Sequence, residues 1–181
     1  REPYPTTIFT DKKENGEVVS KEETIGREYS IDELMGIILQ EKLLMQESGG
    51  GVTFSVGEPI QQAPFLTAIL DRCRQEGIHT TIDTTGYSEQ DALLKIAQKA
   101  DLLLYDLKHA DQEKHLDFTA VSNKKIIDNL NVLLKNGIKI WIRIPVIPGF
   151  NHSRKEMQQI IEILHSLPAR PEQVNLLPFH R

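Results

Sequence analysis

Six side chains able to handle charge stand at or just past the ends of short apolar runs. They are Glu58 after GGGVTFSVG, Asp83 closing IHTTID, Asp106 and Lys108 closing LLLYDLK, Arg143 in KIWIRIP and His180 in LLPFHR. Carboxylates accept from an ammonium, and Lys and Arg receive a carboxylate. A rim carrying both suits a charged, zwitterionic ligand. Whether these groups meet depends on strand periodicity, because residues two apart share a face. Leu104, Asp106 and Lys108 then share one face, and His79, Thr81 and Asp83 share one. Ile138, Ile140, Ile142 and Ile144 form an apolar face for helices, while Lys139, Trp141 and Arg143 point the other way. Plainer readings stand beside this one: Lys108 and Asp106 as a rim ion pair, Arg143 as a structural partner of Asp83 or Asp106, and His180 as a partly buried histidine.

The elements that must position these residues alternate along the chain. Ser30 with Glu33 makes a capping box, which starts a helix over 31–46. Strands are expected near 52–55, 78–83, 101–107, 138–144 and 173–177, and helices near 61–76, 89–99, 123–135 and 153–166. A shorter helix fits 111–119, and Gly77 and Gly137 stop helices just before strands. Strand–helix alternation means a parallel sheet with right-handed crossovers. Five strands are too few for a complete eight-stranded barrel, which needs at least roughly 200 residues. An open partial barrel or a doubly wound sheet remains, and both bind ligands at the carboxyl ends of their strands. Residues 1–28 are polar and include DKKENGEVVSKEE. They read either as an irregular leader or as a hairpin turning at Asn15-Gly16, a pair suited to a type I′ turn. A start without methionine and an end on a strand-like run suggest a fragment.

Composition bounds the function classes. A formal net charge of −5 argues against a nucleic-acid partner. No apolar run reaches the length of a membrane span, and no signal-peptide pattern is present. Cys73 is the only cysteine, so an internal disulfide is impossible and a reducing, intracellular compartment is expected. It lies in LTAILDRCRQEG and reads as a packed helix residue. The histidines show no metal-ligand spacing. No G-x-x-x-x-G-K-[ST] loop or G-x-S-x-G elbow occurs, and Gly49-Gly50-Gly51 precedes a strand rather than a helix.

GGGVTFSVGEP, IDTTGY, LYDLKH, WIRIPVIPGF and LLPFHR, in this order within residues 29–181, resemble the catalytic barrel of the radical S-adenosylmethionine (SAM) enzymes. The resemblance is greatest to the activating enzymes of glycyl radical enzymes, the pyruvate formate-lyase activase group. It implies an α/β fold: a partial, open parallel β/α barrel truncated at both ends. Residues 1–28 would be the tail of an upstream ferredoxin-like insertion.

By resemblance, Gly57 and Glu58 bind SAM, with Glu58 accepting from its ammonium. Lys108 neutralises the SAM carboxylate, Arg143 reaches the methionine part, and His180 lies near the adenosine. Asp83, Thr84 and Asp106, helped by the Leu104 carbonyl, surround a monovalent cation. Val56 stands where the family has a glycine, which bears on SAM affinity. The implied reaction is reductive cleavage of SAM to a 5′-deoxyadenosyl radical, which takes a glycine hydrogen from a glycyl radical enzyme such as pyruvate formate-lyase. The implied setting is an anaerobic cytoplasm, with flavodoxin or ferredoxin as electron donor and no membrane or nucleic acid.

The family's 4Fe–4S cluster is held by a C-x3-C-x2-C loop that this sequence lacks. The cluster is therefore assigned to a full-length parent, and this fragment alone is expected to be inactive. A sheet edge left bare by a missing first strand implies self-association, or a leader folded over that edge. Two other readings stay open: a radical SAM enzyme with a small-molecule substrate, and a cluster-free α/β domain that binds a small zwitterion or serves as a scaffold.

Overall fold

The computed structural model describes residues 6–14, 17–25, 27–55 and 57–179, with side chains described from residue 27 onward. Strands β1 (Thr6–Glu14) and β2 (Glu17–Ile25) pair antiparallel, from Thr6 opposite Ile25 to Glu14 opposite Glu17. The backbone of the polar leader thus takes the hairpin alternative, although the expected Asn15-Gly16 turn lies outside the described residues. After it come α1 (Ile31–Gln40), α2 (Lys42–Ser48), β3 (Gly51–Phe54), a 3-10 turn (Pro59–Gln62), α3 (Ala63–Gln75), β4 (His79–Thr84) and α4 (Gln90–Ala97). The chain continues through β5 (Leu102–Asp106), α5 (Gln112–Thr119), α6 (Lys124–Lys135), β6 (Ile140–Val146), α7 (Arg154–Ser166) and β7 (Gln173–Pro178). No helix among the described residues is long and apolar enough to cross a membrane.

The main sheet runs β3-β4-β5-β6-β7, with every neighbouring pair parallel. Each strand joins beside its predecessor and the order never reverses. Right-handed crossovers that always step the same way put their helices on one face. A doubly wound sheet needs a reversal, so the open-barrel alternative is the one adopted. The helix-side face is apolar and sealed: Ile82, Leu103, Tyr105, Ile140, Ile142 and Ile144 are at most 1% exposed. They belong to one core with Leu66, Ile69 and Leu70 of α3, Leu93 and Ile96 of α4, and Leu130 and Leu133 of α6. Each such side chain contributes about 1.5–3 kcal/mol by leaving water. The opposite face is open, with Thr53 and Ser55 exposed and Leu104, Trp141 and Arg143 half-buried.

Two helices differ from expectation. The helix expected over 31–46 breaks at Glu41, whose backbone (φ −96°, ψ 2°) leaves the helical region while its N–H bonds to the Ile38 carbonyl. Packing explains the break. Met35 and Ile38 anchor α1 in the core, whereas α2 has no fully buried residue, touches the core through half-buried Met45 and leaves Leu43 and Leu44 exposed. The helix expected over 61–76 opens as the 3-10 turn because Pro59 and Pro64 each lack a donor at successive first turns.

One close approach ties the sheet to the β4–α4 loop. Gly86 has φ +72°, and a Cβ there would stand 1.8 Å from the Tyr105 hydroxyl oxygen. Tyr105 cannot yield, because it is fully buried and donates to the Ile126 carbonyl at 2.6 Å. Burial, and secondarily the Glu58 charge, push its phenol well above the ordinary range.

Gly86→Ala combines a left-handed backbone with a steric overlap. Such strain costs about 1–2 kcal/mol for the backbone and about 1–3 for overpacking; a loss of about 2–5 kcal/mol is expected in urea denaturation.

A second prediction concerns acid. The Glu156 carboxyl is lowered from 4.5 to about 2, first by Lys114 and then by its capping partner Ser153. A folded pKa below the unfolded one means stability that is present above pH 4.5 and lost as pH falls toward about 2. Glu156→Gln should flatten that acid limb in melting temperatures measured from pH 6 to about 2.

Candidate functional site

At the carboxyl ends of β3–β6 the open face carries a connected chain of polar groups. Ser55 Oγ donates to Asp83 Oδ2 at 2.9 Å. Asp83 Oδ1 accepts from Arg143 Nη2. Asp106 Oδ1 accepts from Arg143 Nε at 2.9 Å and pairs with Nη2 at 2.8 Å. Asp106 Oδ2 accepts from Lys108 Nζ at 2.8 Å. Register aligns them: Asp106 pairs with Arg143 across β5–β6, and Asp83 lies beside Leu104 across β4–β5. The side chains of Asp83, Asp106, Arg143 and Lys108 are only 18–27% exposed, so solvent screens them incompletely. Burial opposes the Arg143 charge, but Asp106 and then Asp83 outweigh it and hold that guanidinium above its ordinary pKa. Two carboxylates and two cations balance in formal charge.

Glu58 reaches the same rim from the β3–α3 connection. Gly57 just before it has φ +66°, a left-handed turn that glycine takes without strain. The Glu58 carboxylate accepts from Thr84 Oγ1 at 2.6 Å, Thr85 N at 3.0 Å and Thr85 Oγ1 at 2.7 Å. A carboxylate has about four acceptor directions, so one remains for a ligand ammonium. Thr84 is buried, and its hydroxyl, held by Glu58 and by the Gly86 N–H, points to the helix side of β4. The side chains of the expected cation set therefore do not converge. Asp83 and Asp106 meet through Arg143, and the Thr84 hydroxyl lies away from them. Arg143 is placed as the partner of both aspartates at once, where the plainer reading allowed one. His180 and Val56, the expected adenosine neighbour and the departure from a family glycine, lie outside the described residues.

Residues not singled out in the sequence hold the rim loops. Asn151 donates to the Lys108 and Pro145 carbonyls at 2.7 and 2.6 Å and accepts from Ile147 N. Asn123 donates to the His109 and Ala110 carbonyls, and Asn129 to those of Gly86 and Ser88. All three are at most 3% exposed. His109 accepts from Asp111 N through Nδ1, so its Nε2 donates to the Phe150 carbonyl. The signal in sequence was faint: Asn129 is a polar residue on the otherwise apolar face of α6, in KKIIDNLNVLLK.

The groups present suit part of what the resemblance implies. Lys108 lines a recess with Glu58 and has donors free for a carboxylate, and Glu58 has an acceptor direction left for an ammonium, so SAM's amino-acid end fits. A 4Fe–4S cluster does not fit this chain. The only thiol, Cys73, is sealed in the core, and burial pushes its pKa up, away from the thiolate that ligates iron. Among the described residues no group of three or more His, Cys, Asp or Glu could hold a metal ion.

Comparison with known proteins agrees with this geometry. A family model described as the radical SAM superfamily matches residues 10–162. The trans-4-hydroxy-L-proline dehydratase activating enzyme of Clostridioides difficile is 40% identical over 161 residues, covering 87% of this chain and 53% of that protein. The pyruvate formate-lyase 2-activating enzyme of Escherichia coli is 38% identical over 159 residues, covering 88% and 54%. The chain spans about half the length of these curated relatives. A crystal structure of a domain of pyruvate-formate lyase-activating enzyme from Bacteroides vulgatus superposes with TM-score 0.68 at 41% identity, over 72% of this chain and 81% of that one. SuiB of Streptococcus suis bound to its precursor peptide SuiA gives TM-score 0.70 at 16% identity, over 88% of this chain and 35% of that one, a likeness of fold alone. The chain belongs to the radical SAM superfamily, among the activating enzymes of glycyl radical enzymes.

Proposed function

We propose that this chain is the SAM-binding barrel portion of an enzyme that activates a glycyl radical enzyme. The observation that carries the reading is the neutral charge chain Asp83–Arg143–Asp106–Lys108 on the open face, with Glu58 beside it. In the full-length protein, SAM and a 4Fe–4S cluster would supply the radical chemistry, namely reductive cleavage of SAM followed by removal of a glycine Cα hydrogen from the partner protein.

This chain's own residues bind and orient. Lys108, with two N–H directions left beyond Asp106, receives the SAM carboxylate. Arg143 stiffens Asp83 and Asp106 against β6 and lies beside the methionine part. Glu58 gives its remaining acceptor direction to the ammonium, and the Gly57 turn brings the backbone close. His180 is proposed for the adenosine side. A monovalent cation near the SAM carboxylate would use Asp83 and Asp106 with backbone oxygens such as Leu104 O; the Thr84 hydroxyl plays no part in it. The cluster's cysteines belong to a part of the full-length protein outside this chain. Residues 1–28 are proposed as the tail of an insertion that precedes the barrel. A flavodoxin or ferredoxin in an anaerobic cytoplasm would deliver the electron.

The test uses the full-length protein that contains this chain, reconstituted anaerobically with iron and sulfide. Reduction with SAM should release 5′-deoxyadenosine and methionine. With pyruvate formate-lyase or a relative added, a glycyl radical should appear in the electron paramagnetic resonance spectrum. No cleavage of SAM would overturn the reading. In the same protein Lys108→Ala should weaken SAM binding. A partly screened charge pair is worth about 1–3 kcal/mol, or roughly 5- to 150-fold in affinity; unchanged affinity would remove Lys108 from the site. This chain by itself, taken through the same reconstitution, should retain no stable cluster by iron and sulfide analysis.

A further inference from the structure

Beside the charge chain, a recess of about 400 Å3 opens between the rim loops, walled in part by Glu58, Tyr87, Lys108, His115, Val121 and Ile126. The SAM-binding reading uses its Gly57, Glu58 and Lys108 and leaves the His115 side unassigned. Its polar groups can be accounted for one by one. Glu58 holds three donors already. Thr119 Oγ1, also in the wall, donates to the His115 carbonyl at 2.7 Å. His115 is 2% exposed, and its Nδ1 lies 2.7 Å from the Val121 carbonyl. A carbonyl only accepts, so Nδ1 carries the proton and Nε2 carries the lone pair. Burial, against the Val121 bond and with Lys108 and His109 adding to it, holds this imidazole below its ordinary pKa.

Among the described residues no donor reaches Nε2. The single buried side-chain atom found sealed and unpartnered there is Ser88 Oγ, so Nε2 opens on the recess. Lys108 keeps two N–H directions beyond its bond to Asp106, one for the SAM carboxylate and one to spare. The recess therefore offers one strong neutral acceptor and a donor over the apolar side chains of Val121 and Ile126. With SAM in place its ammonium meets Glu58 and its carboxylate meets Lys108, so the positions left over in the recess face no net charge. The complement is a neutral group with one N–H and one C=O.

We infer that this recess holds a main-chain peptide group of a polypeptide substrate, with its N–H donated to His115 Nε2 and its C=O facing Lys108. This rests on the reading above, in which the substrate is itself a protein. A glycine target has no side chain to grip, so the main chain beside it is what an enzyme can hold.

The experiment uses the full-length protein and a fluorescein-labelled decapeptide spanning the radical glycine of a pyruvate formate-lyase. Each residue of the peptide is N-methylated in turn, which removes one N–H and little else. Binding is read by anisotropy with SAM present. One neutral hydrogen bond is worth about 3- to 10-fold in affinity. At one position N-methylation should weaken binding by that factor in the unmodified protein and have almost no effect in His115→Ala. His115→Gln, which keeps an acceptor, should restore the sensitivity. If His115→Ala fails to fold by circular dichroism, His115→Leu carries the same comparison with the volume kept. N-methylation effects of equal size with and without His115, or no peptide binding by the unmodified protein, overturn the inference. SAM cleavage by the unmodified protein is followed in parallel. Its absence overturns the reading of function, whereas cleavage with N-methyl sensitivity independent of His115 overturns this inference alone.

Discussion

A single guanidinium organises the open face. Arg143 reaches from β6 to Asp106 on β5 and Asp83 on β4, and so links three neighbouring strands at their carboxyl ends. Without it two carboxylates on the adjacent strands β4 and β5 would face each other with partial burial and no intervening cation except Lys108. Leaving such a charge unpaired costs far more than a surface ion pair returns. Arginine suits the position because its planar fork has donors in two directions, whereas a lysine would present one point charge. The apolar half of the same strand makes this possible. Ile140, Ile142 and Ile144 are sealed against the helices, which fixes the register and turns Arg143 outward.

Much of this was legible in the residues. The isoleucines at every second position of IKIWIRIP specify one buried face, and burial makes that pattern hard to evade. The same alternation put Asp106 with Lys108 and turned Asp83 away from Ile82. What periodicity could not decide was the winding of the sheet. An open barrel and a doubly wound sheet use the same alternation of elements and differ in strand order, which is set by packing between helices far apart in sequence.

The polar partners were also beyond reach. Glu58 stood out as the end of a strand, yet its three donors come from Thr84 and Thr85, some 26 residues on. Asn123, Asn129, Asn151 and His115 looked ordinary because their roles depend on which carbonyls the fold brings near them. The break at Glu41 has the same origin: local helix preference runs through it, and tertiary packing stops it.

The three buried asparagines share a property with a consequence for how such a rim can diversify. Their Nδ2 groups bond main-chain carbonyls, at Lys108 and Pro145, at His109 and Ala110, and at Gly86 and Ser88. Main-chain atoms are the same in every residue type. The loops are thus clamped in shape without any demand on the side chains they display. Outward-facing positions such as Tyr87, Leu116 and Phe118 are free to drift under mutation while the loop paths stay constant. A lineage built this way can change the surface it displays by substitution alone, leaving the charge chain of Asp83, Arg143, Asp106 and Lys108 undisturbed.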